Sequence, residues 1–339
     1  MAGFASIGAM WRGWHFLLSV SVFVVAAAAV GQEIPVDDGV RVAEFYRLAP
    51  AIEDGIWPGW SKVLSPLLLI TAENEFLTHH PAPPKDFKPV GDGFYVRART
   101  FPVQLEATFP AFGPPAVIVI GEPKSTASKT STPWLIVVMH EHFHQLQDAA
   151  PGYFHAVEEL GLSHGDESGM WMLEYPFPYK KPEVAQAFAR LRDLLLATVG
   201  ETDDVKFRKD AEEYVAMRRK FLAQLSADDH KYLSFQLWQE GMARYTQIMA
   251  AEAAASYKPT EAFAALADYE PFSAYALRAR AETLDELRKV DLAKAQRGAI
   301  YPFGAVEGLL LDRLNPGWKD GYFKLLLSTD DLFVVATKK

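Results

Sequence analysis

The sequence predicts an α+β fold in which a small mixed β-sheet precedes a mostly α-helical region. Short apolar and β-branched runs bounded by glycine or proline are confined to residues 33–125, and such runs are typical of strands. Long segments with helical periodicity fill most of 133–339. We therefore predict an N-terminal β-rich subdomain over 32–132 and a helical C-terminal region over 133–339.

The composition is that of an acidic globular chain without thiols. Half of the 339 residues are hydrophobic, and the formal net charge is −9. Nucleic acids and anionic membranes select basic surfaces, so we expect no nucleic-acid partner. Cysteine is absent, so a metal site in this chain would have to use His, Asp or Glu side chains. The sequence does not indicate an oligomeric state.

Residues 1–31 have the features of a secretory signal peptide. Arg12 precedes a hydrophobic run over 16–30, and Ala29 and Gly31 fit a small-residue cleavage site before Gln32. The run is short for a transmembrane helix. We predict an exported chain, periplasmic or secreted, that keeps no stable membrane anchor after cleavage. An uncleaved anchor is the alternative.

The strands and helices follow from periodicity and from turn residues. Strands are predicted at 67–71, 75–78, 94–99, 103–109 and 116–120. The first two form a hairpin, and the last, AVIVI, is either a central core strand or an edge strand that could pair with an extended peptide. Helices are predicted at 134–147, 183–198, 203–225, 231–257, 261–267, 274–289, 292–314 and 318–327.

The helix over 134–147, WLIVVMHEHFHQLQ, contains the pattern H-E-x-x-H at His140, Glu141 and His144. Residues at i and i+4 lie on one helix face, so the two imidazoles can bind one divalent metal while the glutamate handles a water proton. Thr132 is the predicted N-cap. His142 points away from the other two histidines and is predicted to pack or to support them.

A catalytic zinc site needs a third protein ligand and an open fourth position. Glu240 is the preferred candidate, because it lies in an amphipathic helix beside Trp238 and Met242, where a buried acid needs a cation. Gly241 would let another helix approach closely. The other candidates are His155, Glu158, Glu159, Asp166, Glu167 and Glu174.

The H-E-x-x-H pattern with a later Glu-Gly-x-Ala helix at Glu240 resembles the gluzincin metallopeptidases, the clan of thermolysin and the aminopeptidase-N-type enzymes. The resemblance implies a zincin-like fold and one zinc ion held by His140, His144 and Glu240. It also implies that Glu141 assists the attack of a zinc-bound water on a peptide or protein substrate. Tyr301, followed three residues later by glycine, matches the tyrosine that polarises the scissile carbonyl in aminopeptidase-N-type enzymes.

Two points remain open within this resemblance. Tyr245 is the alternative to Tyr301 as the tyrosine that stabilises the oxyanion. Thermolysin-type enzymes have an acid four residues after the glutamate ligand that orients a histidine, and Arg244 occupies that position here. Another partner is therefore expected to orient the histidine.

Two further functional classes are compatible with the sequence. The first is an inactive or non-peptidase zinc-binding protein of the same fold, although a purely structural site would not need Glu141. The second is a metal-free helical exported protein.

Overall fold

The computed structural model describes residues 33–166 and 168–336, so the predicted signal peptide over 1–31 lies outside the described residues. A six-stranded mixed sheet is followed by a mostly helical region, as the sequence predicts. The strands are β1 Leu67–Ile70, β2 Asn74–Thr78, β3 Lys88–Gly91, β4 Phe94–Ala98, β5 Glu106–Phe109 and β6 Val117–Gly121.

The sheet has the order β3-β4-β2-β1-β6-β5. β1 pairs in parallel with β6, and every other pair is antiparallel. The predicted hairpin is confirmed, with Leu67 opposite Thr78 and Ile70 opposite Glu75. β6, the AVIVI segment, lies between β1 and β5 and is therefore central, so the edge-strand alternative for this segment is wrong. β5 forms that edge of the sheet instead.

Each predicted helix has a counterpart, but the segment predicted as one helix over 292–314 is divided by a 3₁₀ segment, Gln296–Ala299, and only Lys319–Tyr322 of the segment predicted over 318–327 is helical. The helices are α1 Val36–Ile56, α2 Ser131–Asp148, α3 Tyr153–Glu159, α4 Trp171–Glu174, α5 Pro182–Gly200, α6 Asp204–Leu222, α7 Ala227–Gln236, α8 Met242–Ala254, α9 Glu261–Ala264, α10 Phe272–Lys289, α11 Leu292–Ala295, α12 Ile300–Leu314, α13 Lys319–Tyr322 and α14 Asp330–Ala336. The segment predicted as one helix over 231–257 contains a π-helical turn, Leu237–Gly241, between α7 and α8.

The sequence analysis did not predict α1. Gly39, Pro50 and Gly55 lie inside it, and residues of these types usually interrupt helices. Its apolar positions nevertheless recur with helical spacing, and Phe45 and Leu48 are fully buried. Packing of that face against α2 and α8 therefore outweighs the weak local propensity.

The start of α2 differs from the prediction. The helix begins at Ser131 with Thr130 as its N-cap, and Thr132 lies inside the first turn. The Thr132 hydroxyl donates to the Glu270 carbonyl at 2.6 Å, so a tertiary contact uses the group that was expected to cap the helix.

The apolar strands place α2 against the sheet. Leu69 and Ile120 are buried in the large core shared with the helices, whereas Leu68 and Val119 face a smaller core on the other side of the sheet. The indole N–H of Trp134 donates to the Gly121 carbonyl at 2.8 Å and fixes the beginning of α2 to the end of β6. α2 consequently runs beside β5 and β6.

Within 33–166 and 168–336, no helix combines the length and the apolar character needed to cross a membrane.

Candidate metal centre

Three predicted ligands converge in the structure. α2 presents His140 and His144 one turn apart, and the π-helical turn before α8 places Glu240 opposite them. Glu240 Oε2 lies 3.8 Å from His140 Nε2 and 3.4 Å from His144 Nε2. One potential ligand atom from each residue lies within 4.8 Å of the others. These three side chains could therefore hold one divalent metal ion.

A close approach of two helices places Glu240. A Cβ atom added to Gly241 would lie 2.7 Å from the Cα of Gly304, so the backbones of the π-helical turn and α12 are in direct contact. The expectation that Gly241 allows a close helix approach is confirmed. A π-helical turn adds one residue to the helix and is frequent at functional sites. Here it contains the glutamate next to this contact.

Gln147 orients His144. Its amide nitrogen donates to the carbonyls of Trp238 at 3.0 Å and Gln239 at 3.1 Å, so its oxygen must face His144 Nδ1, 2.6 Å away. An amide oxygen only accepts hydrogen bonds, and Nδ1 therefore carries a proton. Nε2 is the atom left to bind a metal. Gln147 also connects α2 to the turn that contains Glu240.

Opposing charges set the ionisation of the ligands. Burial alone would lower the pKa of His144, but Glu240 outweighs this effect and raises it to about 9. Burial would raise the pKa of Glu240, yet the Arg297 guanidinium and His144 hold it well below its usual range. These two pKa shifts favour an ion pair between His144 and Glu240, whose Nε2 and Oε2 atoms are 3.4 Å apart. A metal ion must displace the Nε2 proton to bind.

Glu141 lies beside this cluster, as the pattern predicts. Its side chain is buried, and the Thr108 hydroxyl lies 2.9 Å from Oε2 and 2.9 Å from its backbone carbonyl oxygen. Thr108 belongs to the edge strand β5. Glu106, two residues earlier on the same face of that strand, has a pKa raised to about 6 by burial and by the charge of Glu141.

The structure separates the two candidate tyrosines. The ring of Tyr301, on α12, lies 6.4 Å from the His140 ring at an interplanar angle of 15°, and its hydroxyl accepts a hydrogen bond from Arg297 Nη1 at 2.7 Å. Burial and the charge of Glu240 raise the pKa of Tyr301. The Tyr245 hydroxyl is instead bonded to both carboxylate oxygens of Asp312 at 2.8 Å. Tyr301 is therefore the tyrosine beside the metal ligands.

The remaining histidines of the sequence analysis are elsewhere. His142 is buried, stacks on Trp60, and is 3.1 Å from Glu53 Oε2, so the packing role predicted for it is confirmed. His155 pairs with Glu159 at 3.3 Å on the surface, where their side chains are 74% and 67% exposed. The alternative third ligand Glu167 lies outside the described residues.

The sequence analysis missed the residues that support this cluster, which are Thr108, Gln147 and Arg297. For two of these residues, the sequence separation from a site residue matches the spacing of contacts along a helix. Gln147 lies three residues after His144, and Arg297 lies four residues before Tyr301, so each can reach its partner along one helix face. Thr108 had no local signal, because its contact with Glu141 depends on how the sheet packs against α2.

Comparison of the chain with protein-family models, curated proteins and solved structures gave no match. The function is therefore inferred from the geometry and chemistry of this site.

Proposed function

We propose that the chain is an exported zinc-dependent metallopeptidase with a zincin-like fold. The observation that carries this proposal is the convergence of His140, His144 and Glu240, with Glu141 beside them. Two imidazole nitrogens and one carboxylate oxygen are a typical protein ligand set of catalytic zinc sites. The donor set fits the ion, since both Nε2 atoms face Glu240 Oε2 and His144 already has its support from Gln147.

The residues around the cluster have complementary roles in peptide hydrolysis. A zinc ion, when bound, would supply Lewis acidity for a water molecule and for the substrate carbonyl. Glu141 takes a proton from the attacking water and passes it to the leaving amine. The Thr108 hydroxyl keeps the Glu141 carboxylate oriented. Tyr301 donates a hydrogen bond to the carbonyl oxygen as negative charge develops on it.

The edge strand β5 favours an extended peptide as substrate. Among the described residues, β5 pairs with β6 on one side and forms the edge of the sheet on the other. Extended peptides bind to such edges by adding a strand. Because Thr108 on β5 touches Glu141, a peptide paired with β5 would pass close to the proposed base.

An inactive zinc-binding protein of the same fold is the alternative. The hydrogen bond from Thr108 to Glu141 favours the peptidase, since a structural metal site has no use for an oriented carboxylate that is not a ligand. Export remains part of the proposal and depends on the predicted leader.

Cleavage of a peptide library by zinc-loaded protein, with and without a chelator, tests the function. We expect cleavage that the chelator abolishes. Glu141→Gln should retain zinc and lose turnover by a factor of about 10² or more, because general base catalysis contributes about 10²- to 10⁴-fold. Glu159→Gln, at an exposed site, is the matched control and should keep full activity. Turnover in Glu141→Gln equal to that of the control would refute the proposed mechanism.

A further inference from the structure

Arg297 occupies a special place beside the metal ligands. It lies in a short 3₁₀ segment, Gln296–Ala299, immediately before α12. Its three nitrogens donate to three different residues: Nη2 to Glu240 Oε1 at 2.6 Å, Nη1 to the Tyr301 hydroxyl at 2.7 Å, and Nε to Gln236 Oε1 at 2.8 Å. The side chain is 19% exposed. One cation thus joins a proposed metal ligand to the proposed oxyanion donor.

We propose that Arg297 is a positioning residue that sets both the metal-binding oxygen of Glu240 and the proton direction of Tyr301. This inference rests on the proposed function, because it assigns the two residues the roles given above. It adds a residue that the H-E-x-x-H pattern does not indicate.

The contact with Glu240 determines which oxygen faces the histidines. Oε1 accepts the hydrogen bond from Arg297, whereas Oε2 lies 3.4 Å from His144 Nε2 and 3.8 Å from His140 Nε2. With Oε1 directed to Arg297, Oε2 is the oxygen that faces the two histidines. The hydrogen bonds to Gln236 and Tyr301 fix the planar guanidinium on either side of this contact. Arg297 therefore holds the Glu240 carboxylate so that it presents Oε2 to a metal ion.

The contact with Tyr301 determines where the phenol proton points. A guanidinium has only donors, so the Tyr301 oxygen must accept from Arg297. The tyrosine has a single proton, and with its oxygen already engaged as an acceptor that proton is free for another acceptor. A phenol keeps this proton at neutral pH. Tyr301 is consequently preset to donate to a substrate carbonyl.

A second buried arginine provides a comparison. Arg218 is only 3% exposed and is bonded to Glu307 and Asp330 rather than to Glu240. Arg280, which is 43% exposed, forms a fork with Glu252 on the surface of α10. Loss of either arginine should change stability without changing the metal site, so both serve as controls.

The first measurement is zinc affinity by chelator competition, with the visible spectrum of the cobalt-substituted protein as a second readout. We expect Arg297→Gln to weaken zinc binding by about 10- to 100-fold, the usual effect of losing a group that supports a ligand. Its cobalt spectrum should differ from that of the wild type. Arg218→Gln and Arg280→Gln should keep wild-type affinity and spectrum even where they unfold at lower urea concentration.

The second measurement, of kcat and KM together with zinc affinity, separates the contact of Arg297 with Glu240 from its contact with Tyr301. Arg297→Lys restores a charge but cannot span both partners, so we expect it to recover zinc affinity while kcat stays low and KM changes little. In Arg297→Gln/Tyr301→Phe the loss in kcat should be smaller than the product of the single losses, because both act through the same hydroxyl.

Zinc affinity decides the proposal whether or not the chain cleaves peptides. If Arg297→Gln binds zinc within twofold of wild type and has an unchanged cobalt spectrum, the positioning role is overturned while the proposed peptidase stands. If the wild type binds zinc but cleaves no peptide, the peptidase fails, and a weakened zinc site in Arg297→Gln still supports the placement of Glu240. A wild-type chain that binds no zinc overturns both.

Discussion

Replacing Gly304 with alanine should push α12 away from the π-helical turn that contains Glu240. A Cβ atom at this position would lie 2.5 Å from the Cα of Gly241, whereas ordinary contacts begin at 3.4 Å. The helices must therefore move apart by about 1 Å, since neither backbone can rotate away. Gly241 follows Glu240 directly, so the ligand moves with it. Overpacking of this kind costs about 1 to 3 kcal/mol of stability.

The displacement should also weaken the chemistry. A misplacement of about 1 Å at a reacting group can reduce turnover by about 10²-fold. Urea denaturation and chelator competition would measure the losses in stability and in zinc affinity, and the peptide assay would measure turnover. Gly55→Ala is the matched control, because Gly55 lies in α1 with no atom within 4 Å of an added Cβ. We expect this control to gain about 0.4 to 1 kcal/mol. Stability and zinc affinity in Gly304→Ala equal to the wild type would refute the reasoning.

Three further predictions follow from named contacts. Gln147→Leu should weaken zinc binding by about 10- to 100-fold in chelator competition. Gln145→Leu removes the equivalent 2.8 Å hydrogen bond to His142, which is not a proposed ligand, and should leave zinc affinity unchanged. Equal zinc affinities in the two variants would contradict the role of Gln147. Burial and the charge of Glu141 raise the pKa of Glu106 from 4.5 to about 6, so the folded protein binds this proton more tightly than the unfolded chain. As pH rises from about 4.5 to 6, the stability of the wild type should fall relative to that of Glu106→Gln by on the order of 1 to 2 kcal/mol and then level off. Urea midpoints of the two proteins that stay parallel across this range would disprove the prediction. Glu307→Leu removes the 2.6 Å partner of buried Arg218 and should cost about 3 to 5 kcal/mol in urea denaturation; a loss below 1 kcal/mol would count against this ion pair.

Local pattern was sufficient for much of the fold. The hairpin of β1 and β2 could be predicted because its apolar runs are separated by a short polar turn. α2 could be predicted because Pro151 and Gly152 follow a continuous apolar helix. α1 was missed, since Gly39 and Pro50 suggest breaks that tertiary packing overrides. The sequence alone could not decide the position of β6, because strand order depends on contacts distant in the chain.

The candidate site likewise contains residues that local spacing predicts and residues whose placement depends on contacts distant in the chain. His140, Glu141 and His144 are set by spacing on a single helix and could be found from the sequence. Glu240 could be identified from its apolar neighbours, but the π-helical turn that contains it had no local signal in the sequence. Tyr301 and Tyr245 could not be distinguished from the sequence, because their environments depend on how α8 and α12 cross.

Anomalous diffraction at the zinc edge from crystals of the zinc-loaded protein tests the central claim most directly. We predict one zinc ion bonded to Nε2 of His140, Nε2 of His144 and Oε2 of Glu240 at about 2.0 to 2.2 Å, the usual distances for these ligands. Arg297 should keep its hydrogen bond to Glu240 Oε1. A zinc ion bound at another position, or a third ligand other than Glu240, would contradict the account.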